Sequence, residues 1–468
     1  MKKPIYERLL QFQEESPYPF HMPGHKRQLK NEISDTMFGW DVTEIAGMDE
    51  LYDPSGIIRE SMEEIKNFYK TEKTWYLVNG SSCGNMAAIG AALKKGESVL
   101  ITRNCHKSVY QAVELFNLRP YYLYPAYERE LGMYGAVSPV QVEEMLKKHR
   151  DIRGVVLTSP TYEGTVSDIE AISRICRAYD AVLIVDEAHG AHFAFSDYFP
   201  DSAVSKGADL VIQSLHKTMA VPNQGALLHL CSDRVEKARA DRYQAIFQTT
   251  SPSYILLASM EYGIAHGREE RERWREYESL LTKYREKWSH LKKLHLLTME
   301  DFKKEKPFDY DPGKIVITSG KGKITGEELS SILRETYRLE MEMSEQNYVI
   351  AMTSYMDTQE GFERLDRALT EIDEKIPYEE KKMPRVEIPV CEMEMIPGIA
   401  ADMDKRAIEL KEAEGKIAGT YVYLYPPGSP ILVPGEKINM KVLEKIDEYL
   451  YNKMEIKGLK GSFIDIIE

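Results

Sequence analysis

Lys217 stands in the string Ser214-Leu215-His216-Lys217-Thr218, directly after the apolar run Leu210-Val211-Ile212. An open α/β sheet gathers its ligands beyond the carboxyl ends of its strands, so a lysine at that point is poised to act as an amine. Asp186 ends the apolar run Val182 to Val185 in the same way, opening Asp186-Glu187-Ala188-His189-Gly190. Gly80-Ser81-Ser82-Cys83-Gly84 follows Trp75 to Val78 and offers hydroxyls and backbone N–H groups, a seat for one phosphate or a plain helix cap. His106, in Asn104-Cys105-His106-Lys107-Ser108, could stack on an aromatic ring, and Thr161 lies in the hydroxyl loop Ser159 to Gly164. A phosphate seat, a stackable ring, a hydroxyl loop, an acid and a lysine on one sheet edge fit pyridoxal 5′-phosphate.

Asp-Glu-Ala-His is also the Walker B string of helicases. That reading needs Gly-x-x-x-x-Gly-Lys-Ser/Thr upstream, and none is present; Gly320-Lys321-Gly322-Lys323 lies downstream with the wrong spacing.

The elements that must position these residues are legible as alternating runs. Strands are predicted at Trp75–Val78, Val99–Ile101, Tyr121–Tyr124, Val155–Thr158, Val182–Val185, Leu210–Ile212 and Ala226–Leu228. Met86–Leu93, Val140–Lys148 and Ile169–Tyr179 read as helices between them, with residues 79–85 as a turn. Continuous apolar strands alternating with helices predict an α/β domain whose seven-stranded, mainly parallel sheet is covered on both faces. Ile255–His266 and a long helix over Arg268–Lys292 lead into a smaller α+β unit: strands Lys314–Thr318 and Tyr348–Met352, helices Gly326–Thr336 and Gly361–Ile372. Ile376–Pro397, with four prolines, reads as a linker, and a helix is expected over Met403–Glu412. The expected organisation is an N-terminal arm at 1–60, a large domain at 61–300, a small domain at 301–376, and a linker with a C-terminal domain at 377–468.

Composition narrows the class. The 468 residues suffice for several domains, and no apolar run reaches the roughly 18 residues of a membrane span. A net charge of −14 argues against nucleic-acid binding and suits a cationic substrate. The N-terminus lacks a signal-peptide core, and the five scattered cysteines form no Cys-x-x-Cys pair, so a reducing cytoplasm and no metal site are expected.

The strings HMPGHK, LVNGSSCGN, RNCHKS, SPTYEG, VDEAHGAH, QSLHKT, TTSPSY and YPPGSPILVPGE resemble those of the bacterial Orn/Lys/Arg decarboxylases, from about residue 20 to about residue 440. The resemblance is to the short form, typified by biosynthetic arginine decarboxylase of Gram-positive bacteria, which lacks the receiver-like N-terminal wing of the long enzymes. It implies the aspartate-aminotransferase fold (pyridoxal-phosphate fold type I) and decarboxylation of arginine, lysine or ornithine in polyamine biosynthesis. It also implies a homodimer or higher oligomer with sites at the subunit interface. By position, Lys217 would be the Schiff-base lysine, Asp186 the partner of the pyridinium nitrogen and His106 the stacking ring. Ser81, Ser82, Cys83, Ser214 and His216 would hold the phosphate, and Thr249 the phosphate of the partner subunit. His189 would lie beside the cofactor, Thr161 near its phenolic oxygen, and His216 or Lys217 would return the proton to Cα. Two departures bear on substrate: Val221-Pro222-Asn223-Gln224-Gly225 where Leu-Thr-Gln is usual, and Leu51-Tyr52 where Leu-His is common.

A basic side chain calls for an acid, and Glu163, Glu436 and the acids between Asp41 and Asp53 are the candidates. Other readings are an aldolase or β-lyase on the same cofactor, and a silent homologue that acts as a binding partner.

Overall fold

The computed structural model describes residues 18–20, 43–44, 48–379, 389–424, 429–451 and 456–468. The string at 21–26, Asp41 and the Tyr-Pro-Pro-Gly at 425–428 lie outside them.

All seven expected strands form one sheet: β1 (Lys73–Leu77), β2 (Ser98–Thr102), β3 (Arg119–Leu123), β4 (Ile152–Thr158), β5 (Val182–Asp186), β6 (Leu210–Gln213) and β7 (Ala226–Leu230). Their order is β1-β7-β6-β5-β4-β2-β3. Neighbours from β6 to β3 pair in parallel, while β7 runs antiparallel to both β6 and β1. Six strands, all but β7, thus end at one edge, and the loops after β1, β2, β4, β5 and β6 carry the predicted site residues.

Both faces of the central strands are buried, which is why they read as nearly unbroken apolar runs, while the edge strand β3 is partly exposed. On β2, Val99 and Ile101 enter one core with Ala87, Ile89 and Val109, whereas Leu100 enters the opposite core with Val142, Leu146 and Ile172. The strand period of two assigns alternate residues to the two layers.

Helix α1 (Gly80–Ala92) starts six residues before the expected Met86, so residues 80–85 are helical rather than a turn. Serine and glycine read as turn formers in isolation, but Gly80, at φ +75°, lets the chain pass from β1 into the helix without a break. Helix α2 (Lys107–Leu115) begins at His106, whose Nδ1 caps it by accepting the Ser108 N–H at 3.2 Å.

The apolar stretch Ile255–His266 lies in helix Tyr254–Glu269, and the long helix expected over Arg268–Lys292 is Arg271–Trp288, with Glu270 between the two. Trp274, Tyr277, Leu281, Tyr284 and Trp288 form the buried stripe of the long helix. The following unit carries a four-stranded sheet that includes Lys314–Thr318 and Tyr348–Met352, paired antiparallel, with helices Gly326–Tyr337 and Gln359–Lys375.

The helix expected at Met403–Glu412 is instead strand Lys405–Glu409 followed by a short 3-10 turn. The strand pairs antiparallel with Phe463–Ile467, a partner that overrides local helical preference. No helix among the described residues is long and apolar enough to cross a membrane.

Candidate active site

A cavity of about 490 Å³ opens at the shared strand edge. Its lining includes Ser81 and Ser82 from α1, His106 after β2, Thr161 after β4, Asp186 and His189 from the end of β5, and His216 and Lys217 after β6. Seven of the eleven sequence-predicted positions are brought to one wall by strand topology alone, and Lys217 makes an eighth.

Asp186 is buried and held by two donors. Asn85 Nδ2 donates to its Oδ2 at 2.9 Å, and the Ala188 N–H donates to Oδ1 at 3.1 Å. Asn85 also donates to Ser108 Oγ at 3.0 Å, and that hydroxyl lies 2.8 Å from His106 Nδ1. The stackable ring and the acid are therefore tied through one amide. Burial lowers the His106 pKa, against the pull of Asp186, so the ring is neutral with its proton on Nε2.

Glu187 points to the other side of β5. It accepts from Ser202 Oγ, the Ala203 N–H and Gln213 Nε2, each at 2.6 Å, and burial lifts its carboxyl to about 7.

Burial pushes the Lys217 amine below the usual lysine range, with Asp186 and Glu342 opposing. Its Nζ lies 2.9 Å from His189 Nε2. Burial also lowers the His216 pKa, to about 4, and its Nδ1 donates to the Gly225 carbonyl at 3.1 Å, leaving Nε2 an acceptor toward the cavity.

The remaining predicted positions are less direct. Ser214 is buried behind the wall and donates to Ser81 Oγ at 2.8 Å, so it supports a hydroxyl that lines the cavity. The Cys83 thiol turns back to the Gly80 carbonyl at 2.9 Å, and burial pushes it up to about 12; its side chain does not line the cavity. Thr249 is exposed on the lip, where its N–H meets Asn79 Oδ1 at 3.5 Å and its carbonyl accepts from the Tyr52 hydroxyl. Thr161 bonds Thr165 Oγ1 at 2.9 Å.

Of the acids considered for a basic side chain, Glu436 is taken by Arg103 and does not line the cavity. Asp49 caps a helix, accepting the Gly56 and Ile58 N–H groups. Glu163 does line it, and the structure adds Glu345, which sequence reasoning missed. They sit in a wall with Tyr127, Tyr134, Tyr348 and Tyr449; the Tyr348 hydroxyl donates to Glu163 at 2.9 Å. Burial raises both carboxyls, Glu345 to about 8 with help from Glu327 and Glu163.

Asn85, Ser108, Lys314 and Glu345 were not anticipated. Asn85 carried a signal, since it lies one helical turn beyond Ser81 and Ser82 on α1. Lys314 opens a strand of the next unit and carried none.

The donor set fits pyridoxal phosphate: N-terminal N–H groups of α1 with two hydroxyls for the phosphate, a fixed carboxylate for the ring nitrogen, an imidazole for its face, and an amine within the same cavity.

Comparison with known proteins agrees. Residues 3–314 match the model of the Orn/Lys/Arg decarboxylase major domain and residues 390–458 that of its C-terminal domain. The chain is 29% identical to the protein named arginine decarboxylase of Bacillus subtilis, over 99% of this chain and 97% of the relative. It is 32% identical to the uncharacterized protein YaaO of the same organism, over 98% and 96%. Among solved structures, lysine decarboxylase A from Pseudomonas aeruginosa superposes with a TM-score of 0.79 at 18% identity, covering 99% of this chain and 80% of that one. Ureidoglycine–glyoxylate aminotransferase from Bacillus subtilis superposes at 0.57 with 18% identity, over 76% and 93%. The fold is thus that of the fold-type-I pyridoxal-phosphate enzymes, and with two thirds of its length matching one family's major domain, the chain belongs to the Orn/Lys/Arg decarboxylases.

Proposed function

We propose that this chain is a pyridoxal-phosphate-dependent decarboxylase of a basic amino acid, arginine foremost, releasing the amine and carbon dioxide. The observation that carries the reading is the cavity that holds Lys217 and Asp186 together with a tyrosine-rich wall bearing Glu163 and Glu345. A guanidinium suits such a wall, since it pairs with carboxylates and stacks on aromatic faces. The near-full-length relatives named arginine decarboxylase support the same choice.

When bound, the cofactor supplies an electron sink for the pair left at Cα as the carboxylate departs. The chain's own groups do the rest. Ser81, Ser82 and the first N–H groups of α1 bind the phosphate, with Ser214 holding Ser81 in place. Asp186 would hold a proton at the pyridine nitrogen, and His106 would cover one face of the ring. Lys217 would present its amine where the cofactor's aldehyde is held and would carry the proton delivered to Cα; His216, whose Nε2 is left as an acceptor, is the other group lining the cavity able to take up a proton and pass it on. Glu163 and Glu345 orient the substrate by its cationic end.

Thr249, exposed on the lip, is the position offered to the partner's cofactor in a homodimer whose sites lie at the interface. A cytoplasmic setting, which five free cysteines suit, and a role in polyamine synthesis complete the proposal. The test is a product-resolved assay of arginine, lysine and ornithine with added cofactor. Release of carbon dioxide and the matching amine supports the reading; a cofactor-loaded protein that turns over none of the three overturns it.

A further inference from the structure

His189 is held between two lysines. Lys217 Nζ lies 2.9 Å from its Nε2 and Lys314 Nζ 3.0 Å from its Nδ1. The ring is buried, with Tyr162 against it at 4.4 Å between centroids, and Tyr162 is itself anchored to Glu342. Lys314 is 1% exposed and reaches the ring past Gly164, where a Cβ would come within 2.9 Å of its Cγ. The opening that admits its stem is therefore built into the backbone.

The two contacts constrain protons. A neutral imidazole has one N–H and one lone pair, so it accepts from one neighbour and donates to the other. An ammonium cannot accept, so at most one of these lysines carries a charge while both contacts stand. His189 itself is neutral, because burial, helped by the cationic field of Lys314, lowers its pKa far below the ordinary value. Burial favours the neutral form of Lys217 too. Lys314 lies in the field of two carboxyl groups, Asp311 and Glu163, that favour its charged form.

We infer that Lys314 is a positioning residue: its ammonium donates to His189 Nδ1, fixes the Nε2–H tautomer, and so holds Lys217 as a neutral amine ready to react with the cofactor's aldehyde. The ring transmits a hydrogen-bond polarity from the small unit to the large one. Other groups facing the pair are Asp186 and Glu342 at Lys217 and the imidazoles of His216 and His106 at His189. They set a background field, but none of them contacts His189 Nδ1 in the arrangement described.

The inference rests on the reading of Lys217 as the cofactor's lysine, and its test needs no turnover. In the full-length chain freed of cofactor, Lys217 is labelled with limiting acetic anhydride from pH 6 to 11 and quantified by mass spectrometry. The tautomer of His189 is read by ¹⁵N NMR, its signal assigned by loss in His189→Phe. Lys314→Met is expected to raise the labelling midpoint of Lys217 by one pH unit or more and to move His189 to the Nδ1–H form. In the His189→Phe background, adding Lys314→Met should shift the midpoint little, because the relay is already gone. Lys314→Gln keeps an N–H donor without charge and should retain the Nε2–H tautomer; it also serves if Lys314→Met does not fold. An unchanged tautomer and midpoint in Lys314→Met overturns the inference, as does an equal midpoint shift with and without His189, which would mean a direct field. A chain that fails to decarboxylate but shows these shifts refutes the proposed reaction and leaves the relay standing.

Discussion

Arg103 and Glu436 meet at 3.0 Å with neither side chain exposed, and Arg103 also donates to the Ile431 carbonyl at 2.9 Å. The pair fastens the loop after β2, which carries His106, to the C-terminal segment whose Ser429 and Ile431 line the cavity. Breaking a buried pair leaves one charge unmatched, at about 3–5 kcal/mol. Glu436→Leu is expected to lower stability by that order in urea unfolding and to expose the C-terminal segment to protease. The double variant Arg103→Met/Glu436→Leu should recover much of the loss.

Lys217→Ala should remove the visible absorbance of the cofactor-loaded protein and cut turnover by on the order of 10³-fold or more, as for a group on which the whole reaction depends. Absorbance and product release measure it; retained decarboxylation would sink the mechanism.

Asn85 donates to a carboxyl oxygen of Asp186, and a hydrogen bond to a carboxylate contributes about 1.5–3 kcal/mol. Asn85→Ala should therefore weaken pyridoxal phosphate binding roughly 10- to 150-fold. Fluorescence titration of the cofactor-free chain gives the dissociation constant. His106 loses its tie to the acid in the same variant, so spectral changes should accompany the weaker binding.

Glu345 supplies a pH signature. Its folded pKa of about 8 stands above the ordinary 4.5, through burial and the fields of Glu327 and Glu163. Its contribution to stability is whole below pH 4.5 and is lost as pH rises through 8, since the unfolded chain gives up a proton the folded one retains. The melting temperature of Glu345→Gln relative to the unsubstituted protein should rise between pH 5 and pH 8. The same variant, like Glu163→Gln, should raise KM for a basic substrate about tenfold or more with a smaller change in kcat.

The large domain was legible because its central strands are buried on both faces, which writes them as apolar runs, and because their ends carry polar residues. The edge-sharing of Asp186 and Lys217 followed from that alone. Other features depend on partners far along the chain. Lys405–Glu409 is a strand only because Phe463–Ile467 lies beside it, and Lys314 looks like any strand-opening lysine until folding brings it to His189. Glu436 matched a family string as well as Glu163 did, and only packing shows that Arg103 occupies it.

Glu187 and Gln213 give the sheet a gauge. Each is the neighbour in sequence of a working position: Glu187 follows Asp186, and Gln213 closes the strand that leads to Lys217. Their 2.6 Å contact spans two adjacent strands on the side away from the cavity. The spacing between the cofactor's two anchor points is thus set from behind, by groups that never meet the ligand. Side chains facing the cavity can be exchanged for a new substrate while that interval stays in tolerance, whereas a slip at Glu187 would misalign both anchors at once.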